Sequence, residues 1–178
     1  LLPIESSYRA AEYLRSFDFQ IGPEETFESE GTKEIYVEMD RGNSLLLLEP
    51  IGPGAYQRAM EKRGPGLHHF AIDVTDLDSF ISSLVGTSWK LHPISTQTIK
   101  KTRTAWFSSP GFPALVEVQE REEIALRPLF VEKVSMRMNT DPSLLMKAMR
   151  LEEIIQPTNT STTLSLLGKP IQLKDLTS

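Results

Sequence analysis

Three segments of this sequence repeat one pattern: LLPI followed by SSYRAAEYLRSF, HHFAIDV followed by TDLDSFISSL, and VEKVSMRM followed by NTDPSLLMKAM. Each reads as an alternating strand, a turn of small or acidic residues, and a short amphipathic helix. The restarts lie roughly 65 residues apart, which leaves room for one strand, one helix and about three further strands. The repeating unit is therefore βαβββ, used three times, and the fold class is α+β. The expected boundaries are 1–52 for the first module, 53–66 for a linker, 67–122 for the second module and 128–178 for a third, partial or divergent one. A chain of 178 residues with 39% hydrophobic content can bury a core across such units.

Local signals fill in each unit. In the first, Ser6 or Ser7 starts a helix that runs to Phe17 with Tyr8, Ala11 and Leu14 on its apolar face. KEIYVEMD, the turn RGN and SLLLLEP then form a β-hairpin. IGPGAYQRAMEKRGPG has Gly and Pro at both ends and a short helical middle, as a linker would. In the second unit Asp76 or Thr75 caps a helix whose stripe is Leu77, Phe80, Ile81 and Leu84, and strands follow near IKKTRTAWFSS and PALVEVQE. In the third, Asp141-Pro142 opens a helix with Leu144, Leu145, Ala148 and Met149 on one face, followed by strands at EEIIQP, TTLSLL and KPIQL. Met136, Met138 and Met146 fill core space there.

Composition removes several functions. Lys plus Arg total 19 against 24 acids, a net charge of −5, so nothing favours a nucleic-acid partner. No cysteine is present, which excludes disulfides, zinc knuckles and thiol nucleophiles and leaves any metal to His and carboxylates. No apolar run reaches the ~20 residues that span a bilayer, and LLPIESSYR lacks the features of a signal peptide. The expectation is a soluble, cytoplasmic protein without membrane contact. Its first residue is Leu, so a segment is expected to precede it.

Alternation separates the adjacent histidines of the second unit. In LHHFAIDV, His68, Phe70, Ile72 and Val74 point one way, and Leu67, His69, Ala71 and Asp73 the other. The apolar row faces the core, so His68 leans inward while His69 is free to line a cleft. In ALVEVQE, Ala114, Val116 and Val118 take the core face, which puts Glu117 on the face of His69. An imidazole and a carboxylate suit Zn, Co, Ni, Mn or Fe, although two ligands alone make a weak site. The competing reading is a half-exposed histidine beside a solvated glutamate. Among other polar groups, His92 before Pro93 is a loop histidine, and Lys100, Lys101 and Arg103 form a basic cluster on a strand. Trp106, Phe107 and Phe112 either wall a cleft or pack, and packing is the stronger expectation.

The segment NSLLLLEPIGPGAYQRAMEKRGPGLHHFAIDVTDLDSF resembles the middle of methylmalonyl-CoA epimerases and, more broadly, the vicinal-oxygen-chelate superfamily of glyoxalases, bleomycin-resistance proteins and extradiol dioxygenases. The resemblance covers roughly residues 1–122. It implies paired βαβββ modules forming a U-shaped mixed sheet around a cleft in which a divalent metal chelates substrate oxygens. It also implies that His69 and Glu117 are metal ligands and that the general base comes from cleft glutamates, a catalytic role open to Glu117 where it is not bound to the metal. Two further family ligands do not map. The Gln or Glu of the first module falls on Leu46, and a His falls just ahead of Leu1. Glu38 and Glu49 could replace Leu46 only by a register shift, and Glu49 points from the other face of its strand. The third unit has no His at the counterpart of His69, which falls near Val134. It reads as half of a second pair or as a cap on an edge strand.

The function implied is a glyoxalase-like, metal-dependent epimerase or lyase acting on a small α-carbonyl or acyl-CoA substrate, in a homodimer. The alternatives are a metal-free small-molecule binder of the bleomycin-resistance kind and an iron-dependent extradiol dioxygenase.

Overall fold

The computed structural model describes residues 2–124, 126–138 and 143–177. Along the chain run β1 (Leu2–Pro3), α1 (Ser7–Arg15), β2 (Ile21–Phe27), β3 (Thr32–Val37) and β4 (Leu45–Pro50), then α2 (Ala55–Arg63). β5 (His69–Val74), α3 (Leu77–Ser83), β6 (Lys90–Leu91), α4 (Ser95–Thr102), β7 (Thr104–Ser108) and β8 (Leu115–Glu120) follow. The chain ends with β9 (Val131–Arg137), α5 (Ser143–Met149), β10 (Ile155–Thr158), β11 (Thr163–Leu166), β12 (Lys169–Gln172) and α6 (Leu173–Thr177). Strand, helix and three strands thus recur three times, with α4 inserted in the second unit and α6 following the third, in an α+β fold with three four-stranded sheets among the described residues.

The first two sheets share one topology, β1-β4-β3-β2 and β5-β8-β7-β6. In each, the first strand pairs in parallel with the last, and the other neighbours are antiparallel. The third sheet has the order β10-β9-β11-β12, with its first strand in the interior. By compactness the chain divides into two units, Leu1–His68 with Arg127–Val134 and Ser161–Ser178, and His69–Leu126 with Ser135–Thr160.

In the first unit, Ser6 caps α1 by accepting from the Arg9 amide, and Ala10, Ala11 and Leu14 are buried. Tyr8, assigned to that face from the sequence, is 65% exposed, and the buried stripe runs through Ser7, Ala10, Ala11 and Leu14 instead. The core-facing residues of the sheet are Leu2, Ile35, Val37, Leu45 and Leu47, all buried. β2 was not foreseen: IGPEETF is an edge strand with five exposed residues, so it has no apolar alternation to find.

The loop between β3 and β4 is fastened to the segment before β9. Asn43 Oδ1 accepts from the amides of Phe130 and Val131, both at 2.8 Å, and its Nδ2 donates to the Val131 carbonyl at 2.9 Å. Beside it, the Gly42 amide donates to the Pro128 carbonyl, and a Cβ at Gly42 would stand 2.3 Å from the Arg127 oxygen. Only a residue without a side chain fits that approach.

In the second unit, Asp76 caps α3, and Leu77, Phe80 and Leu84 are buried. Lys100 and Lys101 lie in the last turn of α4, not on a strand, and the strand begins only at Thr104. Lysines are favoured there because the carbonyl end of a helix attracts cations. Arg103 ends that helix in the left-handed conformation and donates to both Glu120 oxygens, at 2.9 and 2.8 Å, and to Asp78 at 2.9 Å. Glu120 also accepts the Leu77 amide at 2.8 Å, so one carboxylate joins α3, α4 and β8. In α5 the buried residues are Met146 and Met149, while Leu144, expected on the inner face, is 80% exposed. Met136 is buried as well, and Asp141-Pro142 lies outside the described residues.

Asn43→Ala leaves two amides without their acceptor beside the fully buried Phe130. In urea unfolding its midpoint is expected to fall by an amount equivalent to about 2–3 kcal/mol, with the slope unchanged, and N43D should lose less. The Arg103 contacts, with the Leu77 amide, hold the Glu120 carboxyl down to about 2 from 4.5. A depressed carboxylate stabilises the fold above its unfolded value and loses that contribution as pH falls from 4.5 towards 2. Melting curves should therefore show wild type above E120Q at neutral pH and the gap closing across that window.

Candidate functional site

The second sheet builds the site. Cα partners across its strands are Ala71 with Glu117 and Trp106 with Glu117, while His69, two residues before Ala71, pairs with Leu115. Paired residues point to the same side, so His69, Ala71, Glu117, Gln119 and Trp106 share one face. The other face carries Ala105, Phe107, Val116 and Val118, all buried, and the Phe80 ring of α3 lies 6.3 Å from Phe107. Burying such side chains stabilises the sheet by ~1.5–3 kcal/mol each and fixes which way the strands turn. The polar face is what remains.

On it, His69 Nε2 stands 3.4 Å from Glu117 Oε2. Ala71 between them is too small to intervene. His69 is 4% exposed and the Glu117 side chain 14%. The Trp106 ring meets the imidazole edge to face, centroids 4.8 Å apart at 84°. Burial pushes the His69 pKa below the usual histidine range, and the hydrogen bond and charge of Glu117 only partly offset it. Burial would raise Glu117, but hydrogen bonds from His69 and Gln119, with the His69 charge, outweigh it and leave its pKa lowered. At neutral pH the pair is an uncharged imidazole beside an ionised carboxylate.

That is also the protonation state in which these groups bind a divalent metal, once the proton on Nε2 is displaced. Donor atoms of a tetrahedral ion with bonds of ~2.0–2.2 Å stand about 3.3–3.6 Å apart, so the pair fits as two ligands of one ion. Among the described residues, no group of three or more His, Asp or Glu side chains is arranged to hold a metal.

The internal repeat shows which residues stand at the equivalent positions of the first sheet. Tyr36 pairs with Leu46 in the first sheet as Trp106 pairs with Glu117 in the second. The flanking core residues correspond too: Ile35 and Ala105, Val37 and Phe107, Leu47 and Val118. Leu46 therefore occupies the counterpart of Glu117, and the counterpart of His69 falls ahead of the first residue. Neither nearby glutamate takes the place of Leu46. Glu49 lies in the core-facing row and accepts the Ser7 amide and hydroxyl, at 2.9 and 3.1 Å. Glu38, with a φ of 58°, accepts the Gln20 amide and the Arg41 guanidinium.

The remaining sequence candidates lie elsewhere. His68, just before β5, is buried with its ring centroid 5.1 Å from Tyr56 of α2. His92 lies between β6 and α4, where its Nδ1 accepts from the Ile94 amide at 3.4 Å. Phe107 and Phe112 are core, and Phe112 packs on Phe70 and Trp89. Trp106 alone of the aromatic trio reaches the His69–Glu117 face. Its signal in the sequence is the row Thr104, Trp106, Ser108, which alternates with the apolar Ala105 and Phe107.

No protein-family model and no curated protein matches the chain. Among solved structures it is similar to a hypothetical protein from Bacillus halodurans, at 22% identity over 71% of this chain and 94% of that one, TM-score 0.52. It is similar also to a methylmalonyl-CoA epimerase in complex with methylmalonyl-CoA and NH4+, at 18% identity, covering 72% and 94%, TM-score 0.50. A selenomethionine-labelled methylmalonyl-CoA epimerase matches at 17% identity, covering 68% and 92%, with the same TM-score of 0.50. No helix among the described residues is long and apolar enough to cross a membrane. Over about 70% of its length this chain, built of βαβββ modules with mixed four-stranded sheets, shares the α+β fold of these structures.

Proposed function

We propose that this protein is a small-molecule enzyme of epimerase or lyase type, which removes a proton from the carbon beside a carbonyl or thioester group. The observation that carries the reading is the His69–Glu117 pair, 3.4 Å apart on the polar face of its sheet. His69 and Glu117 would hold a divalent metal, which when bound polarises the substrate carbonyl and makes the neighbouring C–H more acidic. Glu117 is also the proton acceptor: it is ionised and largely shielded from water, and a carboxylate has a second oxygen to offer. Removing the proton sends the C–H electron pair towards the carbonyl oxygen as an enolate. Returning it on the opposite side of the carbon inverts the centre, and expelling a group from the next carbon gives a lyase. The resemblance to methylmalonyl-CoA epimerases makes an acyl-CoA the first substrate to try.

A second reading rests on Leu46. An apolar side chain at the counterpart of Glu117 supports a metal-free binder that sequesters a small molecule without turnover.

Purified protein equilibrated with Co2+ and given methylmalonyl-CoA in D2O separates the two. The enzyme reading expects stoichiometric Co2+ and deuterium entering the α-carbon. E117Q should slow that exchange by ~10²–10⁴-fold, and H69A should lose the metal. Neither Co2+ uptake nor exchange above buffer would leave the binder, whereas bound iron with oxygen uptake on a catechol would replace both readings with a dioxygenase.

A further inference from the structure

A row of polar side chains leads away from the His69–Glu117 pair along its sheet. Gln119, half-buried and two residues after Glu117 on the same face, donates to the Glu117 carboxylate. Its Oε1 accepts from Arg121 Nη2, and Arg121 Nε donates in turn to Asp73 Oδ1 at 3.3 Å. Asp73 and Gln119 are Cα partners in the parallel pairing of β5 and β8, so the guanidinium spans two neighbouring side chains of one face. That end of the row is open to water, with the Arg121 and Asp73 side chains 55% and 49% exposed.

The chemistry of the groups fixes the direction of the bridge. A guanidinium has N–H groups and no acceptor, and an ionised carboxylate only accepts. The Gln119 amide therefore satisfies both neighbours in a single orientation, oxygen towards Arg121 and NH2 towards Glu117. Turned over, it would meet each with the wrong atom. The first sheet provides an internal comparison. With Leu46 at the counterpart of Glu117, the counterparts of Gln119 and Arg121 are Leu48 and Pro50. That of Asp73 is Pro3, which pairs with Leu48 as Asp73 pairs with Gln119. Where an apolar side chain replaces the carboxylate, the amide, the cation and its counter-charge are replaced with it.

From this arrangement we infer that Gln119 and Arg121 are positioning residues: Arg121, steadied by Asp73, orients the Gln119 amide so that its NH2 holds the Glu117 carboxylate in place. Arg121 acts through Gln119, and a cation on the amide oxygen strengthens the N–H bond that the same amide makes on its other side. Hydrogen bonds of this kind orient ligating carboxylates, and their loss costs about 10–100-fold in metal affinity or activity. What the positioning serves rests on the enzyme reading above, but the bridge itself is measurable on the protein without substrate or metal.

The experiment is NMR of protein labelled with 15N in its glutamine side chains, at fixed pH, in wild type, R121A, R121K, D73A, E117A and W89F. The Gln119 signals are assigned through Q119L. In wild type the two Gln119 amide protons are expected to be well separated, because one of them lies on a carboxylate. E117A is expected to bring them together, which identifies the acceptor. R121A is expected to move them in the same direction, D73A to do so by less, and R121K to restore most of the separation. W89F is the control, since Trp89 is a buried tryptophan of the same unit whose indole donates to the Leu145 carbonyl. It should lower stability and leave Gln119 unmoved. Co2+ affinity and α-carbon exchange, followed on the same samples, are expected to fall about ten-fold in R121A and to recover in R121K. The inference is overturned if R121A or E117A leaves the Gln119 signals as in wild type, or if W89F moves them equally. It is overturned also if R121A binds Co2+ and exchanges deuterium as wild type does. Should wild type itself do neither while R121A still releases the amide, the proposed function fails and the positioning role stands.

Discussion

Parallel pairing of the first strand of a module with its last is the contact on which the site depends. An antiparallel meander alone would put neighbours in sequence beside one another and keep residue 69 far from residue 117. Closing β5 onto β8 in parallel instead brings together two residues nearly fifty positions apart, with two helices and two strands between them. Such closure needs a crossover, and α3 provides it. The burial of Phe80 against Phe107, and of Val116 and Val118 beneath, then decides which face of the sheet is left for chemistry. Core packing and site geometry are two outcomes of the same register.

Where the sequence was legible, the physics was local or periodic. The period-two row in LHHFAIDV and ALVEVQE assigned His69 and Glu117 to one face without any knowledge of strand order, because alternation holds wherever a strand has one buried side. Caps were readable for the same reason: Ser6 and Asp76 each accept the amide three residues on. The exposure of His69 was harder to read. Alternation put it on the less apolar face, and nothing nearby in sequence said that it would be 4% exposed there, with Trp106, thirty-seven residues later, against its ring. β2 was missed because an exposed edge strand has no periodic burial. Tyr8 and Leu144 were misplaced because a helix of seven to nine residues allows two adjacent stripes, and tertiary packing chooses between them.

Charge has two separate uses in the second unit. At the Arg103 junction, full charges meet at the rim, and the carboxylate holds together the ends of three elements. At His69, burial suppresses charge on the imidazole and preserves it on Glu117. The first arrangement stabilises by satisfying charge in reach of solvent. The second keeps one neutral donor and one ionised acceptor side by side in a place shielded from water.

The strand order of the third sheet bears on how such a chain can change. With β9 in the interior, flanked by β10 and β11, its first and last strands are not neighbours. No row of residues there has the adjacency that joins β5 to β8, so writing a histidine at Val134 and a glutamate on β12 would not recreate the pair. The barrier is one of topology, and point substitution cannot cross it. In the first two modules a single substitution on the last strand faces the first strand directly, whereas in the third no single substitution can do so.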